Sequence, residues 1–264
     1  MTDRAAVQAG STRVSYLVAG SGPGVVLVHG SSATAERNWG ALIGRLSDRW
    51  RMVAPDLPGS GETRDAGGRL EIEALADCVE APAADAKLDA YDLVGYSLGA
   101  VVAATLAARR PQRVRSLVLV AGWARSTGRE KFLFDLWRRL FETDRELLAR
   151  YYILTGFSPA FYAAAGHELL ETAVRMTVLP DGAPRHFEVD GRVDIRALLP
   201  AIKAPTLVVG LRDDAYLPLR HSHALHASIP GAEYLELEGG HLLPFEDPVR
   251  LGDAIEPFLA RQRP

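Results

Sequence analysis

The chain has 264 residues, is 48% hydrophobic and 24% charged, and carries a formal net charge of -3. That length suits one large α/β domain with a substantial core, and the near-neutral charge without any Lys/Arg block argues against a nucleic-acid partner. The single cysteine, Cys78, excludes an intramolecular disulfide and a thiolate metal cluster; within a helical pattern it reads as a small buried hydrophobe.

The first twenty residues lack a basic start followed by an apolar stretch, so no secretory signal is expected. The apolar runs all fall well short of the roughly 18 residues a membrane span needs. A cytoplasmic protein without membrane attachment is the expectation.

In chain order, VSYLVA (14–19) and VVLVH (25–29) read as strands, the second almost purely apolar, as a strand buried on both faces should be. Residues 39–46 read as a short helix, and RMVAPD (51–56) as a strand ending in the Pro/Gly-rich turn LPGSGE. A helix is expected over about 71–87, interrupted or kinked at Pro82. Residues 91–95 form the next strand; Leu98, Val101, Val102, Thr105 and Leu106 then recur at helical spacing until Pro111. VRSLVLVAG (114–122) is another buried strand. This alternation predicts a mostly parallel sheet with helices on both faces. From 123 to 196 only helical patterns occur, and eleven of the chain's aromatic residues, more than half of them, lie there. That segment reads as an inserted helical layer with an aromatic underside, suited equally to a small core and to an apolar pocket. PTLVVG (205–210), a helix over 220–229, the strand YLELE (234–238) and a last helix over about 249–261 restore the rhythm. The division expected is a core of 1–122 with 197–264 and an insert of 123–196.

Five residues, GYSLG, place Ser97 between Gly95 and Gly99 at the junction of a strand and a helix. G-x-S-x-G is weak alone, and its required context is strand, sharp turn, helix, which holds here. The glycines let strand and helix approach closely; the turn lifts Ser97 Oγ off the sheet and leaves Leu98 N–H free at a helix start. A serine hydroxyl needs a base. His241 follows Gly239-Gly240 on the loop after YLELE, and in a parallel sheet every such loop opens on the edge where Ser97 sits. Asp213 and Asp214, on the loop after PTLVVG, both qualify as the orienting carboxylate. The loop His29-Gly30-Ser31 supplies a second oxyanion donor, Ser31 N–H, with His29 itself a structural hydrogen-bonding residue. His221, His223 and His226 share a helix, but His221 and His223 do not share a face, which argues against a metal site. His167 and His186, in the insert, have no partner pattern.

The order HG, GxSxG, Asp, His over nearly the whole chain resembles the α/β-hydrolase fold superfamily. APDLPGSGET and GGHLLPFEDP are similar to that family's turn before the first long helix and its histidine loop, and the insert falls where such enzymes carry a helical cap. The resemblance implies a sheet of about eight strands, with Ser97 as nucleophile, His241 as base and Asp214 as orienter, Asp214 being the one followed four residues later by a proline, Pro218. A serine at the elbow, where haloalkane dehalogenases and epoxide hydrolases carry aspartate, implies acyl chemistry. The expected activity is hydrolysis of a small ester, thioester or amide through an acyl-enzyme, without cofactor or metal. Trp123, Trp137 and Tyr96 are expected beside the substrate, and an acyl-carrier protein is a candidate partner. Acyl transfer to a non-water acceptor is the alternative; C–C bond hydrolysis, lyase chemistry and ligand binding without turnover rank lower.

Overall fold

The computed structural model describes residues 2–262. The elements are β1 (Thr2–Ala9), β2 (Thr12–Ala19), β3 (Gly24–Val28), α1 (Ala35–Leu46), β4 (Arg51–Pro55), α2 (Ile72–Asp85), β5 (Tyr91–Tyr96), α3 (Leu98–Arg109) and β6 (Val114–Val120). Five helices follow: α4 (Gly128–Thr143), α5 (Arg145–Gly156), α6 (Pro159–Ala164), α7 (His167–Met176) and α8 (Ala183–Asp190). A short 3-10 turn then leads to β7 (Thr206–Leu211), α9 (Arg220–Ser228), β8 (Glu233–Leu237), α10 (Leu243–Glu246) and α11 (Pro248–Arg261). The eight strands lie in the order β1-β2-β4-β3-β5-β6-β7-β8. β1 and β2 run antiparallel to their neighbours; from β4 onward every pairing is parallel.

The two-residue period of a strand explains how one sheet carries two cores. In β3, Val26 and Val28 join a cluster with α2 and α3, while Val25 and Leu27 join one with α1 and α11. Trp123, Phe134, Trp137 and Phe187 belong to the first cluster, so the aromatics of the insert pack against the core of the sheet. A smaller cluster of Ala149, Ile153, Phe157 and Val174 holds α5 and α7 to one another.

Three details differ from the sequence reading. β1 was not expected: it is an edge strand, largely exposed or half-buried, so its residues show no clear apolar alternation. α2 passes through the buried Pro82 and ends three residues later, at Asp85, so the proline lies in the last turn and does not divide the helix. The four-residue α10 is too short to carry a periodic signal. Cys78 is buried, and burial pushes its thiol up to about 11. No helix among the described residues is long and apolar enough to cross a membrane.

Candidate active site

Four parallel strands deliver the chemistry to one sheet edge. The loops after β3, β5, β7 and β8 carry Gly30 to Ser32, Ser97, Asp214 and His241 respectively. Ser97 joins β5 to α3 at φ 55°, in the left-handed region that non-glycine residues avoid. The flanking glycines make that turn possible. A Cβ on Gly95 would overlap the carbonyl of Gly99, and one on Gly99 would overlap the carbonyl of Val28.

His241 and Asp214 are both buried, and Ser97 is 8% exposed. His241 Nδ1–H donates to Asp214 Oδ2 at 2.7 Å, and His241 Nε2 accepts from Ser97 Oγ–H at 3.1 Å. The second carboxylate oxygen of Asp214 accepts from the amides of Tyr216 and Leu217 at 2.9 and 2.7 Å, which fixes the carboxylate in its loop. Asp213 makes no such contact; its amide donates to the carbonyl of Gly239. The structure therefore brings Asp214, not Asp213, to the histidine.

The amides of the loop after β3 divide by elimination. Gly30 N–H donates to Asn38 Oδ1 at 2.9 Å and Ser32 N–H to His186 Nδ1 at 3.1 Å. Ser31 N–H and Leu98 N–H have no acceptor among the described residues. Two free amides beside a serine are what a developing oxyanion requires. His29 lies beneath: its Nε2 accepts from Leu57 N–H at 2.9 Å and its Nδ1–H donates to the carbonyl of Gly30. Burial pushes this imidazole down, so it stays neutral.

A cavity of about 440 Å³ opens over Ser97 and His241. Tyr96 and Trp137 line it, with Tyr152, Phe157, Phe161 and Tyr216, and among the described residues Arg37 is the only Lys, Arg, Asp or Glu in its wall. Trp123, expected beside the substrate, lies outside this lining: it is buried against Phe134 and donates its Nε1–H to Ser126 Oγ at 2.8 Å. Tyr96 supports the histidine loop, donating its hydroxyl to the carbonyl of His241 at 2.7 Å. Neither His167 nor His186 lines the cavity. His221, His223 and His226 reach Glu130, Glu236 and the carbonyl of Ala232, three separate partners.

The chain matches the alpha/beta hydrolase family over residues 25–254. It belongs to that family. Among curated relatives, pyrrolizixenacetamide deacetylase of Xenorhabdus hominickii is 40% identical over 257 residues, covering 96% of this chain and 97% of its own. The pimeloyl-[acyl-carrier protein] methyl ester esterase of Neisseria meningitidis is 33% identical over 239 residues, covering 84% and 87%. Among solved structures, a thermophilic esterase from Thermogutta terrifontis superposes with a TM-score of 0.87 at 27% identity, covering 99% of this chain and all of its own. This alpha/beta hydrolase is thus similar along nearly its whole length to hydrolytic enzymes.

Several neighbours of the site in this hydrolase escaped the sequence reading. Tyr216 stands two residues after Asp214 and brings its ring centroid within 4.8 Å of that of His241, which its position in the acid loop could have signalled. Glu246, in the tail of GGHLLPFE, accepts from Gly240 N–H and from both the amide and hydroxyl of Ser158, tying the histidine loop to the α5–α6 connection. His186 and Asp190 on α8 reach the loop after β3. Over 150 residues separate them from it, and no local pattern announces such a contact.

Proposed function

We propose that this protein is a serine acyl hydrolase that opens a small ester, thioester or amide whose bound part is mainly apolar. The observation that carries the reading is the unbroken relay Asp214–His241–Ser97 at the floor of an aromatic-walled cavity. Ser97 Oγ attacks the carbonyl carbon while His241 Nε2 takes its proton. The carbonyl oxygen becomes an oxyanion and accepts from Leu98 and Ser31 N–H. The intermediate collapses, the leaving group takes the proton from His241, and an acyl ester remains on Ser97. Water, deprotonated by the same imidazole, attacks that ester and releases acid and free serine. Asp214 holds the tautomer and balances the imidazolium.

Helices α4 to α8 act as the cap, placing Trp137, Tyr152 and Phe161 over the serine so that substrate is chosen by shape and apolar contact. The deacetylase at 40% identity supports amides, acetamides first, beside esters, and the Neisseria esterase adds carrier-bound esters to the substrates worth testing. The test is a panel of aryl esters from acetyl to dodecanoyl with an aryl acetamide, on wild type and Ser97→Ala. Turnover by wild type and its loss in the variant support the reading; equal turnover by both overturns it. Adding alcohols and amines and identifying the products separates hydrolysis from acyl transfer.

A further inference from the structure

The loop that carries Ser31 N–H is strained: Ser32 stands at φ 53°, a conformation that persists only where surrounding contacts enforce it. Asn38 and His29 hold the loop from below, the Tyr152 hydroxyl of α5 lies 3.4 Å from Ser32 Oγ, and two further contacts come from α8. Ser31 Oγ lies 2.5 Å from Asp190 Oδ2, and Ser32 N–H donates to His186 Nδ1 at 3.1 Å. His186 and Asp190 are four residues apart, so they share one face of α8. Both are themselves fixed. His186 Nε2–H donates to the carbonyl of Pro58 at 2.8 Å, which leaves Nδ1 as the acceptor Ser32 needs. The main-chain carbonyl of Asp190 accepts from Ser126 Oγ, which in turn accepts from Trp123 Nε1–H. Trp123 therefore serves as an anchor of α8.

We propose that α8 is the positioning element of the oxyanion hole, with Asp190 and His186 aiming Ser31 N–H at the substrate oxygen and Asp190 acting as a neutral carboxylic acid. This rests on the serine hydrolase reading. Asp190 is fully buried, its Oδ1 has no hydrogen-bond partner, and no cation among the described residues pairs with it. Burial pushes its carboxyl up to about 8, outweighing the opposing effect of the Ser31 hydroxyl. The groups around it are Ser31 from the loop after β3, the Tyr152 phenol from α5, itself pushed up by burial, and on α8 the His186 ring, held neutral by burial at about 4. None offers a compensating positive charge at neutral pH. A carboxylate here would oppose the oxyanion forming against Ser31 N–H; a protonated acid does not.

The test compares Ser31→Ala, Asp190→Ala, Asp190→Asn and Ser97→Ala with wild type on an aryl ester, from pH 6 to 10, together with thermal midpoints. Asp190→Ala and Ser31→Ala are expected to lower kcat by about 10- to 100-fold, with KM within about threefold, because the donor is misaimed in the transition state. Asp190→Asn, which keeps an acceptor oxygen for Ser31 Oγ–H, restores most of that kcat and removes the alkaline fall that wild type shows above pH 8. The double variant Ser31→Ala with Asp190→Ala is no worse than either single change. Should Asp190→Ala fail to fold, Ser31→Ala reads the same bond. Unchanged kcat in Ser31→Ala, a loss confined to KM, or the same alkaline limb in Asp190→Asn overturns the proposal. Retained turnover in Ser97→Ala overturns the serine reading instead, and the thermal midpoints report the neutrality of Asp190 without any turnover.

Discussion

Ser97 stands between two relations of different origin: a local one to Gly95 and Gly99, and a distant one to His241 and Asp214. Ser97→Ala is expected to lower kcat at least about 10³-fold with the fold intact, and Asp214→Asn by a comparable factor, because the imidazole loses its orienting partner; steady-state kinetics beside circular dichroism checks both. Asp190 makes a separate prediction about stability. Its folded value of about 8 lies above the ordinary value of 3.8, so the unfolded chain releases a proton that the folded chain retains. The stabilisation linked to that proton is complete below about pH 4 and is lost as pH rises toward 8. Asp190→Asn should therefore gain thermal midpoint over wild type on going from pH 4 to pH 8; a constant difference would show that Asp190 is charged in the folded protein. At this scale the sequence was most readable where a residue sits in a loop of fixed meaning. Ser97 and His241 could be named from their flanking glycines and strands, and Asp214 from a proline four residues on. Asp190 was not readable, since its role arises only once α8 crosses the loop after β3.

At the scale of elements, the elbow between β5 and α3 depends on bare backbone. Gly99→Ala puts a methyl group into the carbonyl of Val28, so β3 and α3 must separate. The variant is expected to be insoluble or destabilised by several kcal/mol, about 3 or more, as a denaturant midpoint would show. Glu246 does a similar service for the histidine loop through side chains. Glu246→Ala strands three donors and should cost about 1–3 kcal/mol in thermal unfolding while lowering kcat, because Gly240 is next to His241. The buried strands were legible as apolar runs because both of their faces are covered. β1 was not, because an edge strand has no face that must be purely apolar, and its pairing with β2 comes from a two-residue turn at Gly10 and Ser11. Within the insert, helical spacing was readable but the order of packing was not. Trp123 and Trp137 look alike in sequence, yet one anchors α8 and the other faces the cavity.

For the molecule as a whole, sheet topology assembles the site, and residues of α4 to α7 line the cavity beside it. With an apolar wall and about 440 Å³ to fill, kcat/KM for aryl esters should rise roughly three- to fourfold per added methylene, then fall once the chain outgrows the cavity. A flat response across chain lengths would place the acyl group outside it. The central claim, that Ser97 forms a covalent acyl-type adduct with the help of His241, has one most direct measurement: intact mass and peptide mapping after treatment with a fluorophosphonate probe. A single adduct on Ser97 is expected in wild type, none in Ser97→Ala, and a greatly slowed reaction in His241→Ala. A folded wild-type protein that stays unmodified, or that is modified equally fast without His241, would contradict it.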